Sequence, residues 1–272
     1  MTWNWKNIML LTSGMAMLYL VGLFSLYILI NPIIFKTERT RQYNAFRNNR
    51  IQEIQIPLPG EQHLIAQYHQ PRSTPHGVVL LLHGAQGNLD DYQFLSQVFV
   101  SRGYAVLLPD FRGFGKSAGN LTETSLEEDA LACMDWINKR FREDSILLYA
   151  MDFLSPVACY VNTMMPARML ILDNPVYGLK QWVRDRYPAF FLPYELKYDF
   201  KLYEFLPNCL SPVFVIRPQH QAYTNPMDAA NIQQMLRDPT SFFQMDDQKN
   251  EKMHELESYF QIIDQIMGKD AL

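Results

Sequence analysis

Four runs of consecutive apolar residues constrain this chain more than any other feature. "GVVLLLHG", "YAVLLPD", "SILLYA" and "ARMLILD" are each short and bounded by glycine, proline or polar residues. A strand with one wet face alternates apolar and polar residues, so an unbroken run predicts a strand covered on both faces. Segments with helical spacing separate these runs. The clearest covers 125–141, where Leu126, Ala130, Met134, Ile137 and Phe141 share one face and Ser125 with Glu128 predicts a capping box. Shorter helices are expected near 92–102, 156–162, 227–237 and 253–267, with further strands at "PVFVIR" and "SFFQMD". The alternating segments "IQEIQIPL" and "HLIAQYH", joined by "PGE", read as a leading edge hairpin. Strands alternating with helices predict an α/β domain over 51–272, with a mostly parallel sheet and helices on both faces. The less regular stretch 174–210 is expected to be a short lid-like insert.

The N-terminus is different in kind. Residues 8–30, "IMLLTSGMAMLYLVGLFSLYILI", include no charged residue. As a helix at about 1.5 Å per residue this run reaches roughly 35 Å, enough to cross a bilayer. It is longer than the apolar core of a secretory signal and lacks a small-residue cleavage site, so it reads as an uncleaved membrane anchor. A short tail (1–7) precedes it and a charged juxtamembrane connector (31–50) follows. Lys36, Arg39, Arg41, Arg47 and Arg50 follow the span while only Lys6 precedes it, which favours a cytoplasmic main domain.

Composition excludes several classes. The formal net charge is −4 with no basic stripe, which argues against nucleic acid as a partner. The three cysteines, Cys133, Cys159 and Cys209, form no CxxC pair and read as buried thiols. No metal-ligand spacing and no nucleotide or cofactor fingerprint appears, so neither metal nor cofactor is expected.

In open α/β sheets, function gathers at the carboxyl ends of the strands. Here those ends fall at His83-Gly84, Asp110, Asp152, Asp173, Arg217 and Asp246. In "LLLHGAQGN", Gly84 permits a tight turn after which the Ala85 amide can face a site and stabilise a developing oxyanion. "PDFRGFGKSAG" is a glycine-dense loop in which Asp110 and Arg112 are expected to form structural hydrogen bonds.

"HGAQGN", "DFRGFGKSAG", "ARMLILDNPVYGL" and "YPAFFLPYELKYDF" together resemble the α/β-hydrolases, specifically their membrane-anchored, serine-aminopeptidase-like and monoacylglycerol-lipase-like branch. The resemblance extends over about 51–267 and implies the α/β-hydrolase fold, acyl or ester hydrolase ancestry and a lipid-like or acyl small molecule as ligand. It also exposes departures. The nucleophile elbow G-x-S-x-G corresponds to Ala150, Met151, Asp152, Phe153 and Leu154, so aspartate stands at the serine position and leucine at the second glycine. Ser155 is a poor substitute, because Pro156 after it has no N–H to offer an oxyanion; Ser155 and Pro156 read as N-cap and first helical residue. The acid pattern H-G-x-x-D corresponds to Arg217, Pro218, Gln219, His220 and Gln221, so glutamine stands at the acid position.

The resemblance therefore implies Asp152, His254 and Asp173 as candidate catalytic residues, with the amides of Ala85 and Phe153 as the anion site. His254 alternatively reads as an exposed residue at the start of the last helix, and Asp173 as a cap or loop hydrogen-bonder. Three functions stay open on the sequence. The fold can persist with serine chemistry lost and a binding or scaffolding role kept. Asp152 can be a nucleophile of the epoxide-hydrolase or haloalkane-dehalogenase kind. Weak ester hydrolysis through activated water is the third. The aromatic residues Tyr187, Phe190, Phe191, Tyr194, Tyr198 and Tyr203 read either as packing over the sheet or as an apolar lip for acyl chains.

Overall fold

The computed structural model describes residues 4–43, 50–186, 198–219, 226–246, 254 and 257–268. Eight strands form the central sheet: β1 (Ile51–Pro57), β2 (His63–His69), β3 (Val78–Leu82), β4 (Ala105–Asp110), β5 (Ile146–Met151), β6 (Met169–Asp173), β7 (Val213–Pro218) and β8 (Phe242–Met245). Their spatial order is β1-β2-β4-β3-β5-β6-β7-β8. β2 runs antiparallel to β1 and β4, and the other pairings are parallel. The apolar runs fall on β3 to β6, whose residues are all buried.

Helices cover both faces. α1 (Trp5–Ile34) precedes the sheet, and α2 (Gln93–Val100) follows β3. α3 (Glu123–Asn138) follows β4, and α4 (Ser155–Met164) follows β5. α5 (Leu179–Arg186) and α6 (Leu202–Phe205) lie between β6 and β7, α7 (Pro226–Met235) follows β7, and α8 (Glu257–Gly268) follows β8. Along β3 the pleat sends Val78, Leu80 and Leu82 into one core with α3, α4 and α5. Val79 and Leu81 enter the second core with Leu95 and Phe99 of α2 and Tyr259 and Ile263 of α8.

Two local expectations are corrected. α3 starts at Glu123, and its capping box pairs Thr122 with Ser125 rather than Ser125 with Glu128. Thr122 has the extended backbone an N-cap requires, which shifts the box one turn earlier. Ser155 is not an N-cap: Leu154 takes that position, and Ser155 opens α4 with its hydroxyl fully buried.

α1 is apolar and mostly exposed, and Trp5–Ser25 is a candidate transmembrane span. The last residue of α1 and the segment after it are packed against the domain. Ile34 and Phe35 are buried, and the Phe35 ring packs against Phe114, Tyr198 and Phe200. Lys36–Thr37 then pairs in parallel with Gln86–Gly87. Tyr43 ends this strap by donating to Asp110 Oδ2 at 2.5 Å.

Candidate active site

The sheet order reverses around β3, whose chain successor β4 lies on one side while β5 lies on the other. Ligand crevices form at such reversals, at the carboxyl ends. Register fixes what meets there: Leu82 pairs with Ala150, and Met151 with Asp173. The residue after Met151 is thus set beside both the β3 loop and Asp173.

That residue, Asp152, has φ +47, a left-handed conformation in which a non-glycine residue is strained. Its Oδ1 accepts from Asn174 Nδ2 at 3.0 Å. Its Oδ2 lies against the β3 loop, 3.1 Å from where a Cβ on Gly84 would sit, with the Tyr92 hydroxyl 2.8 Å from the same point. A side chain at 84 would therefore have to displace the Tyr92 hydroxyl and crowd the Asp152 carboxyl. Burial, with repulsion from Asp173, pushes the Asp152 carboxyl from 3.8 up to about 7, against the opposing pull of Asn174 and His254.

Asp173 and His254 meet across 81 residues of sequence: His254 Nε2 and Asp173 Oδ2 are 2.6 Å apart. The Tyr149 hydroxyl also donates to Asp173 Oδ2. Tyr149 stands 2.6 Å from the Tyr259 hydroxyl. With the Tyr149 proton directed to Asp173, Tyr259 is the donor to Tyr149. Burial holds both phenols well above their ordinary pKa, reinforced by Asp173. Burial disfavours a charged His254, yet the Asp173 carboxylate outweighs it, aided by Asp152, and raises the imidazole pKa. Phe94 and Tyr259 pack on the His254 ring at centroid distances of 5.8 and 4.9 Å. Among the described residues, no hydrogen bond or ion pair links His254 to Asp152.

The remaining motif residues pack around these groups. His83 is buried and stacks on Tyr92, with Nδ1 2.8 Å from Gly84 O. Asp110 accepts from the Leu89 amide at 2.8 Å. Gly115 has φ +42, and a Cβ there would lie 1.7 Å from Asp110 Oδ2. Arg112 donates to Asp129 at 2.6 Å and to Glu128 at 2.6 Å. Ala85 is buried and its carbonyl accepts from Lys36 N at 3.0 Å. Phe153 is buried against Trp182 and Phe200. Leu154, at the second glycine position of the elbow, packs into the core with no exposed surface. Ser155 Oγ is buried and, among the described residues, makes no hydrogen bond.

Sequence reasoning overlooked Tyr149, Asn174, Phe94 and Tyr259. Tyr149 lies within an apolar strand and reads as core; no local signal connects Tyr149, Phe94 or Tyr259 to Asp173, and Asn174, though adjacent to Asp173, gives no sign of its bond to Asp152. Arg217, next to the last residue of β7, is buried beside Asp228, whose carboxyl burial pushes to about 6. His220, Gln221 and 187–197 lie outside the described residues. Among the described residues, no group of three His, Cys, Asp or Glu is arranged to hold a metal ion.

An eight-stranded sheet of this order, with a left-handed elbow residue after β5 and a histidine after β8 reaching back to an acid, is the α/β-hydrolase fold. The family model described as serine aminopeptidase, S33, matches residues 73–190. The lysophosphatidylserine lipase ABHD12 of Xenopus tropicalis is 32% identical over 123 residues, 42% of this chain and 31% of that protein. Protein bem46 of Schizosaccharomyces pombe is 25% identical over 133 residues, 47% of this chain and 44% of that protein. The chain thus spans less than half the length of these relatives. Among solved structures, a Pyrococcus furiosus esterase superposes with TM-score 0.68 at 15% identity, covering 87% of this chain and 97% of that one. An α/β-hydrolase from Vibrio vulnificus gives 0.62 at 16%, covering 84% and 82%.

Proposed function

We propose that this is a membrane-anchored α/β-hydrolase-fold protein that binds a lipid-like acyl molecule at the Asp152 site and has lost serine-type ester hydrolysis. The observation that carries this reading is the placement of the Asp152 carboxylate, held by Asn174 and lying against Gly84. Ester hydrolysis places a developing oxyanion beside that loop. A carboxyl with a pKa near 7 is about half ionised at neutral pH, and its charge opposes a second anion there. The lipase-type relatives and the apolar N-terminal helix support a lipid-like ligand.

A second reading is favoured by the intact His254–Asp173 pair. Asp152 would displace a leaving group from a saturated carbon, forming an alkyl ester. Water deprotonated by His254 would then add to the ester carbonyl, releasing an alcohol and regenerating Asp152.

The test is turnover of acyl esters, an epoxide and a haloalkane by the full chain in mild detergent, with binding of a fluorescent acyl lipid measured in parallel. The binding reading expects lipid binding without turnover, and gain of esterase activity in Asp152→Ser. Turnover abolished by both Asp152→Ala and His254→Ala would overturn it: a saturated-carbon substrate would establish the second reading, and an ester substrate would establish Asp152- and His254-dependent ester hydrolysis.

A further inference from the structure

We propose that the carboxyl edge of the sheet, which carries the Asp152 site, is pressed against the lipid leaflet in which α1 ends, so that the ligand enters from the bilayer rather than from water. This rests on reading α1 as an anchor and the Asp152 cluster as the ligand site.

Three observations fix the geometry. First, the strap after α1 is bonded to the site's own loop. Lys36 N donates to Ala85 O at 3.0 Å and Glu38 N to Gly87 O at 2.9 Å. The loop that touches Asp152 is therefore within two residues of the end of α1, with no flexible tether between anchor and site. Second, part of the helix is covered inside the candidate span. Leu23 is only 9% exposed, while most of the apolar residues N-terminal to it on α1 are open. Leu23 lies within Trp5–Ser25, and beyond it Phe24 and Ile28 are again 65% and 56% exposed, so one face of the helix is covered there while another stays open. Third, no charged residue occurs between Lys6 and Lys36, so nothing stops the hydrocarbon boundary from lying at or beyond Ser25.

The distances close. From Ser25 to Ile34 the helix rises about 13 Å, and tilt shortens this. The headgroup layer extends roughly 5–8 Å beyond the hydrocarbon core. The strap and the Gly84–Ala85 loop therefore lie within or just above the headgroups. On the same edge Phe94, which packs on His254, leaves its ring 47% exposed. An aromatic ring at the mouth of the site suits the interfacial zone.

The experiment labels the full chain at one new cysteine with an environment-sensitive fluorophore. Cys133, Cys159 and Cys209 are buried, so an introduced exposed thiol reacts selectively. Phe94→Cys reports the site edge, and Glu143→Cys, exposed just before β5, reports the opposite edge. Labelled protein is reconstituted in phosphatidylcholine/phosphatidylglycerol vesicles and quenched with a shallow doxyl lipid or with aqueous iodide. The expected result is at least about twofold stronger lipid quenching at 94 than at 143, with iodide showing the reverse order. Equal iodide access and no lipid quenching at 94, in protein that resists alkaline carbonate extraction, would overturn the inference while leaving the anchor intact. Release by carbonate would overturn both the inference and the anchor on which it rests.

Discussion

At the residue scale, Asp152 and His254 link the site to stability in ways that pH can read. Asp152 holds its proton in the folded state up to about pH 7, against 3.8 ordinarily. Between these values the unfolded chain ionises first, so stability falls as pH rises from about 4 to 7 and stays reduced above. Asparagine at this position stays neutral and can still accept from Asn174. Asp152→Asn is therefore expected to stabilise the protein at pH 8 by about 2 kcal/mol, roughly 5 °C in melting temperature, with the gain vanishing near pH 4. Melting curves of both proteins from pH 4 to 8 check this; a gain independent of pH would refute the burial argument. His254 behaves oppositely as a base. Its raised pKa gives stability that is full below 6.5 and is lost as pH rises through the folded value. In Asp173→Asn burial is left as the dominant influence, so NMR titration should find the His254 pKa below that of the parent.

At the scale of elements, the loop 109–119 is held as a unit by buried charge. Asp129 of α3 is fully buried and accepts from both the Arg112 amide at 2.8 Å and its Nε at 2.6 Å. Removing one partner of such a pair leaves an uncompensated buried charge, which destabilises by about 3–5 kcal/mol. Arg112→Ala should therefore lower the denaturation midpoint by that amount with the m-value unchanged, whereas Glu128→Ala, which removes an exposed partner of the same arginine, should be nearly silent. Elements of this kind were readable in the sequence where the signal was local. The unbroken apolar runs marked β3 to β6, and the glycines of 109–119 marked a tight loop. The capping box was displaced because Thr122, Ser125 and Glu128 share the same three-residue spacing, and only backbone conformation decides which pair caps. The His254–Asp173 contact had no local signal at all: it exists because β6 and the segment before α8 converge on one sheet edge, a consequence of strand order. Tyr149 was hidden for the related reason that its polar tip sits on a residue otherwise indistinguishable from core.

At the scale of the whole molecule, the end of α1, the strap after it and the β3 loop are one packed unit rather than a domain on a leash. The strap buries Ile34, Phe35 and Tyr43, and Tyr43 ties it to Asp110, which in turn holds the Leu89 amide beside the β3 loop. Burial of these three side chains and the strap's backbone hydrogen bonds to Ala85 and Gly87 together hold it in place. A chain shortened to begin at residue 34 keeps these contacts, and one that begins at residue 44 loses them all. Both lack α1, so the membrane contributes nothing to the difference between them. The longer form is expected to melt about 5–10 °C higher in the same buffer. Its Gly84–Asn88 amides should also exchange hydrogen more slowly, since the strap donates directly to Ala85 and Gly87. Tyr43→Phe in the longer form should reproduce only part of the loss, because it deletes the hydroxyl's hydrogen bonds to Asp110 and from Lys116 N but keeps the burial. Equal melting and equal exchange in the two shortened forms would mean that the strap follows the site without holding it.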